Sequence, residues 1–305
     1  MFSIIVAQVL KMFVIIVAGF AISKVKLVSH EGNAGLSNLL LFVVNPLMIF
    51  NSFMIGYTPQ RMKDFLTSGL LAVIAHVVAI GIAALFTRKK GNRSAGLERI
   101  CIVFSNCGFM GIPLISSVLG SEGVLYLTPY IVVFTVFLWT YGLAQMTGKN
   151  SPDQIARSLV TPAMIAIVLG LVFFITGLRL PGPAAGAVES LASMNTPLSM
   201  LIAGISLAES DIVSALKRKR LYLVCAVKLL LMPAVILLIL KFLPVSRDIR
   251  YVNVIAAACP TATSGTLFAI RYKGDYKYTS EIFAVSTVIS MATIPLIVFL
   301  MERFI

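Results

Sequence analysis

Apolar residues run along this chain in ten blocks, separated by short polar breaks. A helix rises about 1.5 Å per residue, so roughly 20 apolar residues cross the hydrocarbon of a bilayer. Blocks of that order lie at 2–22, 34–55, 65–86, 99–119, 124–146, 161–177, 190–208, 219–240, 251–270 and 279–301. The pattern predicts an all-α polytopic membrane protein with ten transmembrane spans. The longest polar connection, Gly148 to Arg157, is only a linker, so no extramembrane domain is expected. The first block carries Lys11, has no basic segment ahead of it, and shows no small-residue cleavage pattern before Lys24. It reads as a retained helix and not as a signal peptide.

Composition agrees. The chain is 59% hydrophobic and 12% charged, against roughly a quarter charged in soluble domains. Its four cysteines, Cys101, Cys107, Cys225 and Cys259, lie in apolar stretches and form no CxxC pair. With only His30 and His76 besides, no metal site, disulfide framework or cofactor is predicted. The net charge of +13 does not imply nucleic acid, because no basic stripe is interleaved with exposed aromatics. Basic residues fall instead in short loops, 16 on one side and 7 on the other. The richer side is expected in the cytoplasm, which puts both termini outside and the chain in an inner membrane.

An internal repeat is visible at an offset of about 151 residues. Asn45-Pro46-Leu47 answers Thr196-Pro197-Leu198, and Gly111-Ile112-Pro113 answers Ala262-Thr263-Ser264. Five spans per repeat is an odd number, so the second copy enters the membrane upside down. The predicted halves are 1–147 and 161–305, joined by a linker over 148–160. Inverted repeats with broken helices at matching positions mark secondary transporters.

Two spans carry the breaks. Span 4 holds Ser105, Asn106, Gly108, Gly111 and Pro113; span 9 holds Pro260, Thr261, Thr263, Ser264 and Gly265. Proline removes a backbone donor and glycine eases unwinding. Unwound backbone at membrane depth is tolerated only where protein or a water-filled cavity covers it. A helix restarting after such a break directs free amides and the positive end of its dipole into the gap, which suits a carboxylate. The plain alternative for either break is a proline kink.

These segments resemble the auxin efflux carrier family. The likeness lies in Asn106 followed by Phe109-Met-Gly-Ile-Pro-Leu114, in Ala258-Cys-Pro260 with Leu267-Phe-Ala-Ile-Arg-Tyr272, in Pro46-Leu47, and in Trp139-Thr-Tyr141. It covers essentially the whole chain and points to a bacterial member. The resemblance implies two inverted five-helix repeats with crossed helices 4 and 9, an architecture shared with sodium/proton antiporters and bile-acid transporters. Spans 1, 2, 6 and 7 would form a scaffold that dimerises; spans 3–5 and 8–10 would form a transport domain. It also implies a carboxylate-binding role for Asn106, a pocket role for Tyr141, and a malate-like, malonate-like or auxin-like substrate. Ser264 stands where plant members often carry a second proline, and the long loop between spans 5 and 6 is missing.

Three ionisable residues fall well inside spans: Lys11, His76 and Lys228. Intramembrane charge is costly and often functional. Lys11 is close enough to the helix end to snorkel. Lys228 is a candidate for attracting the anion, and Asn45 for lining the site from span 2. His76 is a candidate for a coupling proton or a packing histidine. No Asp or Glu lies deep in a span, which argues against cation exchange. The expected function is secondary-active or facilitative transport of a small organic anion by an elevator motion. The alternative is a sodium- or proton-coupled symporter of a bile-acid-like amphipathic anion. An enzyme is not expected, since no nucleophile with a base, paired acids or metal motif appears.

Overall fold

The computed structural model describes residues 1–87, 93–148, 160–210, 215 and 217–304, apart from the side chain of Arg93. Most of the predicted 148–160 linker, and the basic residues Arg88, Lys89, Lys90, Lys149 and Arg157, lie outside the described residues. The elements are α1 (Phe2–Lys24), α2 (His30–Leu39), α3 (Asn45–Ser52), α4 (Pro59–Phe86), α5 (Arg93–Val103), α6 (Ile112–Phe137), α7 (Leu143–Thr147) and α8 (Pro162–Thr176). They continue as α9 (Gly182–Ser193), α10 (Asn195–Glu209), α11 (Lys219–Ala226), α12 (Met232–Lys241), α13 (Arg247–Ala258), α14 (Ser264–Arg271) and α15 (Tyr276–Phe304). Among the described residues no β-strand occurs, and seven helices are long and apolar enough to cross a membrane.

Local chemistry sets the helix starts. Ser29, Thr58, Thr161 and Ser246 each cap a helix, their hydroxyls accepting from the amides of Gly32, Arg61, Met164 and Ile249. Gly148 and Gly177 stop α7 and α8 at positive φ, a conformation that favours glycine. Gly120 has φ 60 and ψ −150 inside α6. It turns the apolar run where the sequence separates blocks 4 and 5.

Three π-helical turns, Leu40–Val44, Cys107–Gly111 and Val227–Leu231, each end two residues before a proline: Pro46, Pro113 and Pro233. In each, the amide just before the proline reaches five residues back, as from Ile112 to the Cys107 carbonyl. The proline ring crowds the carbonyl four residues behind it, and the preceding turn widens by one residue to relieve the clash. This corrects the sequence expectation for span 4. Gly111 and Pro113 lie in continuous π- and α-helix, and the break falls earlier, at Phe104–Asn106.

Two small-residue contacts tie the bundle. A Cβ added at Gly19 would overlap the Leu201 carbonyl, and one at Gly204 would overlap the Ile16 carbonyl, so α1 and α10 cross backbone to backbone. Gly170 of α8 sits under the Phe53 ring that follows α3. Close approach through small residues is how helices associate where lipid offers no hydrophobic drive. Gly204→Leu is expected to destabilise the purified protein by about 3 kcal/mol, the upper range for overpacking. Gly81→Leu, with open space around it, is the control. Equal unfolding temperatures for the two variants would refute the crossing.

Candidate functional site

The broken helices meet at the centre of the bundle. Phe104–Asn106, between α5 and the turn leading to α6, runs antiparallel to Pro260–Ala262, between α13 and α14. The Asn106 amide donates to the Pro260 carbonyl at 2.7 Å, and the Ala262 amide donates to the Phe104 carbonyl at 3.0 Å. Each unwound segment thus satisfies the other, which is what buried irregular backbone in a membrane requires.

Side chains lock this bridge. The Thr261 hydroxyl donates to the Cys101 carbonyl at 2.9 Å, and the Thr261 amide donates to the Ser286 hydroxyl at 3.3 Å. Lys228, fully buried, donates to the Ser105 hydroxyl at 2.5 Å and to the Ala257 carbonyl at 3.4 Å. The lysine therefore stands behind the crossover and couples α11–α12 to both broken helices. It touches neutral oxygens there, so its charge is not cancelled by a hydrogen-bonded carboxylate.

Asn106 is 5% exposed, and its Nδ2 has no hydrogen-bond partner among the described residues. A buried amide group without a partner costs roughly 1–3 kcal/mol. Facing it across the bundle, Asn45 of α3 accepts from Asn195 of α10 at 2.5 Å, and the Asn195 Oδ1 is likewise unpartnered. A Cβ at Gly108 would lie 3.9 Å from the Asn45 Nδ2, an ordinary packing distance, which places the two elements side by side. Asn106, Gly108, Asn45 and Asn195 therefore form one polar locus inside an apolar surround.

The remaining predicted residues fall around this locus in different ways. Gly111 packs against Cys259 and Gly265 against Cys101, so both serve close packing of the crossover. The Ser264 hydroxyl is buried and unpartnered, and Thr263 begins α14. The Pro113 carbonyl accepts from Gln8 of α1 at 3.4 Å. Tyr141 is half-buried against an apolar cluster that includes Phe104, and among the described residues no hydrogen bond joins it to the crossover. Nor are the restarting amides all free: Cys107, Gly265 and Thr266 donate to Ser105, Ala262 and Thr263. Among the described residues, the polar side-chain atoms the crossover leaves without partners are the Asn106 Nδ2 and the Ser264 Oγ.

His76 is 1% exposed, with Nδ1 at 2.8 Å from the Ala72 carbonyl. Its ring stacks on Phe137 at 5.3 Å and lies 5.0 Å from the Tyr130 ring; Phe104 and Phe134 complete an aromatic cage. The Nε2 atom has no partner among the described residues. Asn195, Ala257 and Ser286 were not singled out from sequence. Asn195 stands one residue before a motif that was read, but an exact 151-residue alignment pairs Asn45 with Thr196. A carbonyl contact such as that of Ala257 leaves no side-chain signal.

Two carboxylates at the ends of apolar blocks are also buried. Glu98, 5% exposed, accepts from Arg220 at 2.7 Å and from the Tyr278 hydroxyl at 2.9 Å. Glu281 pairs with Arg218 at 3.2 Å. These pairs join α5, α15 and the start of α11 at one end of the bundle.

Comparison with known proteins gives one family, described as membrane transport protein, which matches residues 4–157 and 153–298. An uncharacterized transporter of Methanothermobacter thermautotrophicus is 25% identical over 94% of this chain and 95% of its own length. The uncharacterized transporter YfdV of Escherichia coli K12 is 22% identical over 97% of each.

Proposed function

The chain belongs to the membrane transport protein family, the auxin efflux carriers of the sequence resemblance, and from that membership we propose that it carries a small organic anion across the inner membrane. Membership makes it a multi-pass membrane transporter and not an enzyme. The observation that carries the anion reading is the unpartnered Nδ2 of Asn106, buried beside the crossed helices. A carboxylate supplies the acceptor that this donor lacks, and charge-assisted hydrogen bonds are about twice as strong as neutral ones. Lys228 adds an uncompensated positive charge behind the site. Asn45 and Asn195 add neutral polar groups beside Gly108. The substrate is then a malate-like, malonate-like or auxin-like acid.

Ten spans in two inverted halves, 1–147 and 161–305, organise this reading. Gly19 and Gly170 are 151 residues apart, and their contact partners, Leu201 and Phe53, are 148 apart. The span 1–7 and span 6–2 crossings are thus counterparts, as an inverted repeat requires. Spans 1, 2, 6 and 7 form the scaffold, and spans 3–5 and 8–10 move past it as an elevator, with both termini outside. Asn38 of α2 and Glu189 of α9, also 151 apart, are both exposed. Polar groups facing lipid are costly, and a second copy of the scaffold covers them in a homodimer. His76, held by Ala72 inside its aromatic cage, is the candidate proton carrier. The ammonium of Lys228 among the crossover oxygens repels sodium there, which disfavours the coupled bile-acid-like alternative.

The test is radiolabelled uptake into proteoliposomes across dicarboxylates, monocarboxylates and indole-3-acetate, with and without sodium. Saturable uptake of one carboxylate, independent of sodium, is expected. Uptake confined to amines or sugars would overturn the anion reading, and a strict sodium requirement would select the alternative.

A further inference from the structure

A cavity of about 150 Å³ lies away from the crossover, between α1, α10 and α15. Phe13, Val17 and Phe20 of α1, Leu207 of α10, and Val288 and Met291 of α15 form its wall. Phe13, Val17 and Val288 are 44%, 49% and 47% exposed, so the cavity opens laterally toward lipid. Its position is a seam: α1 and α10 are packed tightly through Gly19 and Gly204, while α15 belongs to the side that carries the crossover support Ser286.

Charge marks one end of this seam. Lys24 lies one helical turn beyond Phe20, its ammonium 5.3 Å from the Phe20 ring and donating to the Ala208 carbonyl at 3.2 Å. Two residues on, Ser210 hydrogen-bonds Ser280 of α15 at 2.9 Å. Lys277, exposed, stands one turn before Ser280 on the same helix. Of the acids nearby, Glu209 hydrogen-bonds His30 at 3.1 Å and Asp275 accepts from the Tyr278 amide at 3.0 Å. The Lys24 ammonium thus stands at one end of a groove whose wall is apolar along its length, and Lys277 is exposed on α15 at the same end; by the basic-loop rule this end faces the cytoplasm.

We propose that this groove holds an acyl chain of an anionic phospholipid, its phosphate held by Lys24 and Lys277. The apolar wall takes the chain by burial from water and by packing. The lysines select a negative headgroup, each contributing about fivefold in affinity, the value of a basic residue at a charged membrane surface. The lipid then sits as a wedge between α1 and α15. The inference rests on the membrane placement of the chain and is independent of which anion it carries.

The experiment uses the purified full chain, stripped of lipid in detergent and titrated with dioleoyl-phosphatidylglycerol or dioleoyl-phosphatidylcholine, with bound lipid counted by native mass spectrometry. The expected result is one tightly retained phosphatidylglycerol, bound at least fivefold more tightly than phosphatidylcholine. Lys24→Gln, which keeps a donor for Ala208, removes about fivefold of that preference and leaves phosphatidylcholine binding unchanged. Met291→Trp fills the cavity and removes the retained lipid of either kind. Val288→Phe does the same from a more exposed position and serves if the tryptophan variant unfolds early. Equal binding of the two lipids would overturn the proposal. So would wild-type retention in both filled variants, displacement of the retained lipid by equimolar oleate, or a dimer that buries this face without lipid.

Discussion

Replacing Asn106 with alanine is expected to lower the apparent affinity for the proposed carboxylate substrate by about tenfold to a hundredfold, with the unfolding temperature of the empty protein unchanged or raised. The magnitude follows from losing one hydrogen bond to a charged group, worth about 1.5–3 kcal/mol. The retained stability follows from geometry, because the Nδ2 atom has no hydrogen-bond partner among the described residues to lose, and removing it relieves the cost of burying it unpaired. The backbone of residue 106 still donates to Pro260 in the variant, so the bridge is kept. Asn106→Asp provides the opposite sign: it places a carboxylate where the donor stood and abolishes uptake by repulsion. Uptake that survives both substitutions at wild-type affinity would remove Asn106 from the site.

Lys228→Met separates function from stability more sharply. Methionine matches the length of the lysine stem and is apolar, and replacing a buried charge by a well-packed apolar group is often neutral or stabilising. The unfolding temperature is therefore expected to hold or rise. Uptake is expected to fall about a hundredfold, because a charge pair some 6 Å apart at an effective dielectric near 20 is worth about 3 kcal/mol. Ser105→Ala gives the converse pattern. It leaves the buried ammonium with the longer contact to Ala257 alone and destabilises the fold by about 1–3 kcal/mol. A Lys228→Met protein that unfolds early and still transports normally would show the lysine to be a structural strut and nothing more.

Much of this arrangement is legible in the residue pattern, and where it is not the reasons are local. The apolar blocks locate the helices because lipid imposes a length and excludes charge, as Phe2–Lys24 and Pro59–Phe86 show. The break in span 4 was displaced because Pro113 attracts attention, yet a proline two residues into a helix costs only a widened turn. What unwinds Phe104–Asn106 is the partner strand from span 9, a tertiary cause with no signature in span 4 itself. Lys228 is visible as a charge in an apolar run, but its place behind the crossover depends on the π turn at Val227–Leu231 and on a carbonyl of α13. Tyr141 was read through resemblance alone, and the structure gives it packing contacts without a polar link to the site.

The antiparallel bridge at the crossover also constrains how the chain is made. Ser105 and Ala257, joined through the lysine contact and the Ser105 hydroxyl, are 152 residues apart. A ribosome adds about 5–20 residues per second, so the span-4 segment waits roughly ten to thirty seconds for its partner to be synthesised. During that interval the Asn106 amide and the Phe104 carbonyl lack the partners they later find in Pro260 and Ala262, and lipid offers them none. The nascent chain must keep that half of the crossover wet or covered by the insertion machinery until span 9 arrives. A transcript truncated before residue 259 therefore yields a membrane-inserted chain with an open polar seam, a substrate for quality control and not a partial transporter.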